Sequence, residues 1–125
     1  MEPKNKYSQT FLKHFKNPKN SGRLNDASTT GYSANPICGD TLELFLKINK
    51  KKIIEKATFL SNGCPATIAV ASITTEMIIG KTIASVLLIT KHDIAKAIGG
   101  LPKSKNHSSV IAEDAIKTAI NSWNT

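Results

Sequence analysis

With 125 residues, 17 basic and 9 acidic side chains and a formal charge of +8, the chain is long enough to bury one core without disulfides or a structural metal. No apolar run approaches the roughly 20 residues that cross a bilayer, and two cysteines without an apolar leader predict a soluble, cytoplasmic protein with reduced thiols and no membrane partner. The lysines are dispersed and lack aromatic interleaving, so the charge predicts solubility or an acidic protein partner and no nucleic-acid binding.

Ser8 precedes a helical stretch from Gln9 to about Lys16, with Phe11, Leu12 and Phe15 on one face, and Asn17-Pro18 ends it. His14 on this helix reads as a surface residue. Residues 17–31 are rich in Asn, Ser, Gly and Lys and predict an irregular segment, followed by a short strand around 31–34. Leu42, Leu44, Leu46 and Ile48 then alternate with mostly polar neighbours across 41–49, the period of a half-buried strand. The stretch from Ile53 to Leu60 is β-branched and aromatic enough for another. Asn49-Lys50-Lys51-Lys52 between them reads as the turn. If Asn49 faces Lys52, Asp40 falls opposite Ser61, next to Gly63-Cys64. The hairpin then brings Cys38, Asp40 and Cys64 to one end of the sheet, where a soft metal could be held. Two cysteines near strand ends read equally well as small buried apolar residues.

Pro65 suits the first position of a helix whose run from Ala66 to Ile79 is apolar on nearly all sides, which predicts burial against the sheet and makes Met77, Ile78 and Ile79 core. Gly80 ends it. At that helix's N-terminus, Cys64 meets unpaired N–H groups and the positive end of the dipole, which favour it as a nucleophile and metal ligand. Gly63 lets the backbone turn sharply and leaves the sulfur accessible. A short helix over 83–88 follows, and Thr90-x-x-Asp93 resembles a capping box opening another, stopped by Gly99-Gly100, with His92 as a surface residue. The last helix runs from Ser109 to about Trp123 on a stripe of Ala112, Ile116, Ala119, Ile120 and Trp123. Ser108 or Ser109 would cap it, with Glu113 and Asp114 in its first turn. Together these predict an α+β fold, a small antiparallel sheet of about three strands with helices packed on it, as one domain over 1–125. No Ser/His/Asp arrangement, phosphate-binding loop or paired-carboxylate motif supports an enzyme.

An ordered set of segments runs through the chain: His14-Phe15-Lys16-Asn17-Pro18-Lys19-Asn20-Ser21-Gly22, Cys38-Gly39-Asp40, Gly63-Cys64, Thr75-Glu76, Gly80-Lys81, Leu101-Pro102, Lys105, His107 and Ala112-Glu113-Asp114-Ala115. In these the chain resembles the iron–sulfur cluster assembly scaffold family, the IscU-like or NifU N-terminal domain proteins. The resemblance implies the same α+β fold and a scaffold that receives sulfur from a cysteine desulfurase, collects iron, builds a transient [2Fe–2S] cluster and hands it to acceptor apo-proteins. It also implies that Zn²⁺ or Fe²⁺ binds at the same ligands. Carried over position by position, the ligands are Cys38, Asp40, Cys64 and His107, with the aspartate as the weak ligand that keeps the cluster labile. Whether the chain self-associates around a shared cluster is left open.

The chain departs from the family at two places. The family reads His-Cys-Ser where this chain has His107-Ser108-Ser109, and a serine hydroxyl is a poor ligand for iron–sulfur clusters or zinc. Three readings stay open: a native serine leaving Cys38, Asp40, Cys64 and His107 as a tetrahedral set, a divergent zinc-binding paralogue or interaction module that no longer assembles clusters, or a cysteine replaced by design. In one branch of the family a Leu-Pro-Pro-Val-Lys segment recruits an Hsp70-type chaperone. Here it reads Leu101-Pro102-Lys103-Ser104-Lys105, which predicts weak or absent recognition of that kind.

Overall fold

The computed structural model describes residues 7–36 and 39–123. Helix α1 (Gln9–Lys16) leads into strands β1 (Thr29–Ala34), β2 (Thr41–Ile48) and β3 (Ile54–Asn62), followed by α2 (Pro65–Ile78), α3 (Ile83–Val86), α4 (Lys91–Ala97) and α5 (His107–Ser122). The strands form one antiparallel sheet in the order β1-β2-β3, as the alternation predicts. Leu42, Leu44, Leu46 and Ile48 are buried, and α2 and α5 cover them with Val70, Ala71, Ile78, Ile111, Ile116 and Ala119. Each such side chain contributes about 1.5–3 kcal/mol when fully withdrawn from water.

Helix α2 is buried almost all round because it lies between the sheet and α1. Ile78 is core, whereas Met77 and Ile79 are only partly buried against it. On the far side of α2, Phe11 packs with Ala66, Ala69 and Ile98, and the Tyr7 ring stacks on Phe11 at 3.9 Å between centroids. Ser8 caps α1 by accepting from Phe11 N at 2.9 Å, and its hydroxyl donates to the Ile98 carbonyl. Contrary to the surface placement expected for it, His14 is only 5% exposed. It stands three residues after Phe11, on the same inward face, while Phe15 turns out to solvent. Its Nδ1 lies 2.7 Å from Ser72 Oγ and its Nε2 3.4 Å from Glu76.

The hairpin differs from the simplest pairing. Asn49 N donates to Ile53 O at 3.0 Å, so the turn takes in Lys52, which adopts a positive φ of 64°. Glu55 then bulges where the register shifts between Lys47 and Ile48. The two extra residues place Ser61 opposite Leu42 rather than Asp40, and Asn62 opposite Thr41. Asp40 consequently stands against Gly63. Strand β1 begins two residues earlier than expected and packs directly on α5, because Gly31 has no side chain to hold the helix off.

Helix α5 also begins earlier than expected, at His107. Neither serine caps it. Ser108 is inside the first turn and fully buried, Ser109 Oγ donates to the Asn106 carbonyl at 2.8 Å, and Glu113 and Asp114 fall beyond the first turn. Helix α3 stops at Val86, and the Thr90/Asp93 capping box is formed.

Candidate metal centre

Three element ends meet at the open end of the β2–β3 hairpin. Asp40 immediately precedes β2, held by a loop in which Asn35 N donates to Asp40 O at 2.9 Å and Gly39 N to Asn35 O at 2.7 Å. Gly39 takes φ 77° there, a conformation glycine adopts without strain. Cys64 is the N-cap of α2, with Pro65 at the first helical position as expected. His107 opens α5. Gly63 matters for the approach of Asp40: a β-carbon on it would stand 3.0 Å from Asp40 Cγ and 3.3 Å from Oδ1.

One carboxylate oxygen of Asp40, Oδ1, accepts from Cys64 N at 3.3 Å. The other, Oδ2, accepts from Thr67 Oγ1 at 2.7 Å and lies 3.0 Å from His107 Nε2. Burial is the largest single influence on Asp40 and raises its pKa, but the hydrogen bonds from Thr67, Cys64 and His107 together outweigh it and hold the carboxyl below the usual carboxylate value. Asp40 is therefore an ionised, buried acceptor. Because a carboxylate only accepts, His107 Nε2 carries the proton in its contact.

Asp40, Cys64 and His107 each offer one ligand atom, and all three atoms lie within 4.8 Å of one another. A tetrahedral zinc with such ligands holds them roughly 3.3–3.8 Å apart, so small side-chain rotations bring the group to bonding geometry. Sulfur, carboxylate oxygen and imidazole nitrogen form a donor set that suits zinc or ferrous iron. Cys64 and His107 are half-buried and Asp40 is buried, which leaves the group open to solvent on one side. Cys38 lies outside the described residues. Ser108 is not among the three ligands; its Oγ stands behind Thr67, 3.0 Å from Thr67 Oγ1.

Thr67 is the site residue that sequence reasoning missed. Its signal was a hydroxyl in an otherwise apolar run, three residues after an N-cap, where helical spacing returns it to the face of Cys64. Of the other residues singled out, His92 is exposed. Leu101 and Pro102 are half-buried, while Lys103–Lys105 form a 3-10 turn leading to α5. A cavity of about 380 Å³ lined by Ile48, Asn49, Lys50, Lys52 and Trp123 lies at the opposite end of the hairpin, away from the ligand cluster. Among the described residues no helix is long and apolar enough to cross a membrane.

Fold and site together define a small α+β domain with a mixed sulfur, oxygen and nitrogen donor group at one end of its sheet. The chain belongs to the family of the NifU-like N terminal domain, which matches residues 6–125. It is 45% identical over 114 residues to the iron-sulfur cluster assembly scaffold protein IscU 1 of Archaeoglobus fulgidus, covering 91% of this chain and 74% of that one. It is 41% identical over 117 residues to the IscU scaffold protein of Escherichia coli, covering 91% of each. The N-terminal NifU-like protein of Brucella abortus has the same fold, with a TM-score of 0.70 at 16% identity over 91% of each chain.

Proposed function

We propose that this chain, as one domain over 1–125, is a cytoplasmic, non-enzymatic scaffold on which an iron–sulfur cluster is assembled and from which it passes to acceptor apo-proteins. The observation that carries the reading is the convergence of Asp40, Cys64 and His107 from three separate elements onto one small volume. Its family membership and its identity to proteins named as IscU scaffolds support the same reading.

In this reading Cys38, Asp40, Cys64 and His107 hold the cargo, a single Fe²⁺ or Zn²⁺ or a transient [2Fe–2S] cluster, with sulfur supplied by a cysteine desulfurase. Cys64 binds from the helix N-cap. Asp40 is a hard oxygen donor to a soft centre and forms the bond most easily broken on transfer. To ligate through Nε2, His107 would carry its ring proton on Nδ1 and give up its contact with Asp40.

Anaerobic reconstitution with iron, sulfide and a desulfurase tests this. The expected result is a visible [2Fe–2S] spectrum that disappears in Cys64→Ser. A second reading, a zinc-binding relative that no longer assembles clusters, is favoured by one observation: Ser108 stands where the family's third cysteine would be, and it is fully buried and hydrogen-bonded to Thr67. Tight Zn²⁺ binding with no cluster under any condition would select that reading.

A further inference from the structure

The hydroxyl of Thr67 touches two of the three grouped ligands. It donates to Asp40 Oδ2 at 2.7 Å, and Cys64 Sγ lies 3.7 Å from it. Thr67 itself is 1% exposed and Ser108 is 0% exposed, so water does not substitute for either partner. A hydroxyl carries one proton. Since Thr67 commits that proton to its 2.7 Å bond with Asp40 Oδ2, the 3.0 Å contact between the two hydroxyls has one polarity: Ser108 donates and Thr67 accepts. The result is a directed chain from Ser108 Oγ to Thr67 Oγ1 to Asp40 Oδ2.

We propose that Thr67 and Ser108 are positioning residues for the metal ligand Asp40: the relay holds Oδ2, and Oδ1, which accepts the longer 3.3 Å bond from Cys64 N and keeps a further lone pair, is the atom that Asp40 presents to a metal ion. This rests on the scaffold reading's ligand assignment and adds two residues that bind nothing themselves. When His107 turns from Asp40 to the ion, it gives up its bond to Oδ2, and the Thr67 bond is then what keeps the carboxylate from rotating. The relay also gives Ser108 a role that a poor ligand can fill. A serine hydroxyl is a strong donor, whereas a thiol at that position would be a weak one.

The test is titration of the full chain with Co²⁺ alone, read by visible d–d bands and sulfur-to-metal charge transfer, with Zn²⁺ competition giving affinities. Loss of a partner that orients a metal ligand typically costs about 10–100-fold in affinity. Thr67→Val, nearly isosteric, is expected to weaken Co²⁺ binding at least tenfold and alter the d–d bands, while Thr67→Ser, which restores the hydroxyl, stays within about threefold of the parent. Ser108→Ala is expected to weaken binding severalfold with Thr67 intact. Parent affinity and an unchanged spectrum in Thr67→Val overturn the proposal. Should that variant fail to fold, parent affinity in Ser108→Ala overturns it equally. If the parent binds no Co²⁺, or Cys64→Ser does not reduce binding, the ligand assignment fails. If Cys64→Ser abolishes binding and the two hydroxyl variants do nothing, only the relay fails.

Discussion

Gly31→Ala probes the contact that sets α5, and with it His107 and Ser108, against the sheet. A β-carbon on Gly31 would run into the Ala115 carbonyl oxygen and the Ala119 N of α5, and would stand 2.8 Å from Ala119 Cβ where ordinary contact begins at 3.4 Å. Two of these atoms are backbone, so no flexible side chain can move aside. The helix must lift from β1 along the face where Ile111, Ala112, Ala115 and Ile116 are buried. Overpacking of this kind costs about 1–3 kcal/mol, and backbone neighbours place it toward the upper end. For a domain of this size each kcal/mol lowers Tm by roughly 2–5 °C, so a fall of about 5–10 °C is expected. Thermal unfolding followed by far-ultraviolet circular dichroism, paired with a urea titration, measures it. A Tm within about 2 °C of the parent, with an unchanged urea midpoint, would refute direct packing of α5 on β1.

His14 should make folding stability depend on pH. Burial, its largest influence, lowers the folded pKa below 6.5, with Glu76 opposing in part, so on acidification the unfolded chain takes up the proton first. This contribution is complete above about pH 6.5 and is lost as pH falls through the folded value. Urea unfolding between pH 7.5 and pH 5 should show the decline, and His14→Gln should flatten it; an equally steep decline in the variant assigns it elsewhere. Gly63→Ala should push back an Asp40 carboxylate that three donors pin in place, weakening Co²⁺ binding severalfold; parent affinity would show that Asp40 yields freely. A peptide spanning Leu101–Lys105 is expected to bind an Hsp70-type chaperone weakly or not at all, and tight binding measured by fluorescence anisotropy would contradict that.

Much of the architecture was legible because its signals were local. The period-2 run from Leu42 to Ile48, the Pro65 start of α2 and the Thr90/Asp93 capping box each specify an element without reference to the rest of the chain. The hairpin register was not legible, because the positive φ at Lys52 and the bulge at Glu55 are choices the sheet's twist makes in a polar segment with no glycine to mark them. His14 was misplaced for a related reason: a lone polar side chain on an amphipathic face looks like surface until its partner, Ser72 of α2, is known to face it. The meeting of Asp40 with Cys64 survived the register error, since both lie beyond the ends of the paired strands. His107 entered only through the family resemblance. The bond between Thr67 and Ser108 was beyond reach, because a contact between residues 41 positions apart leaves no periodic trace.

The central claim is that sulfur, oxygen and nitrogen ligands from three elements hold one metal centre. X-ray absorption at the zinc edge of the Zn²⁺-loaded chain tests it most directly. The account predicts a mixed four-coordinate shell, with sulfur at about 2.3 Å and nitrogen or oxygen at about 2.0–2.1 Å, which loses sulfur in Cys64→Ser and changes its light-atom shell in His107→Ala. A shell without sulfur, or one that Cys64→Ser leaves unchanged, would contradict it.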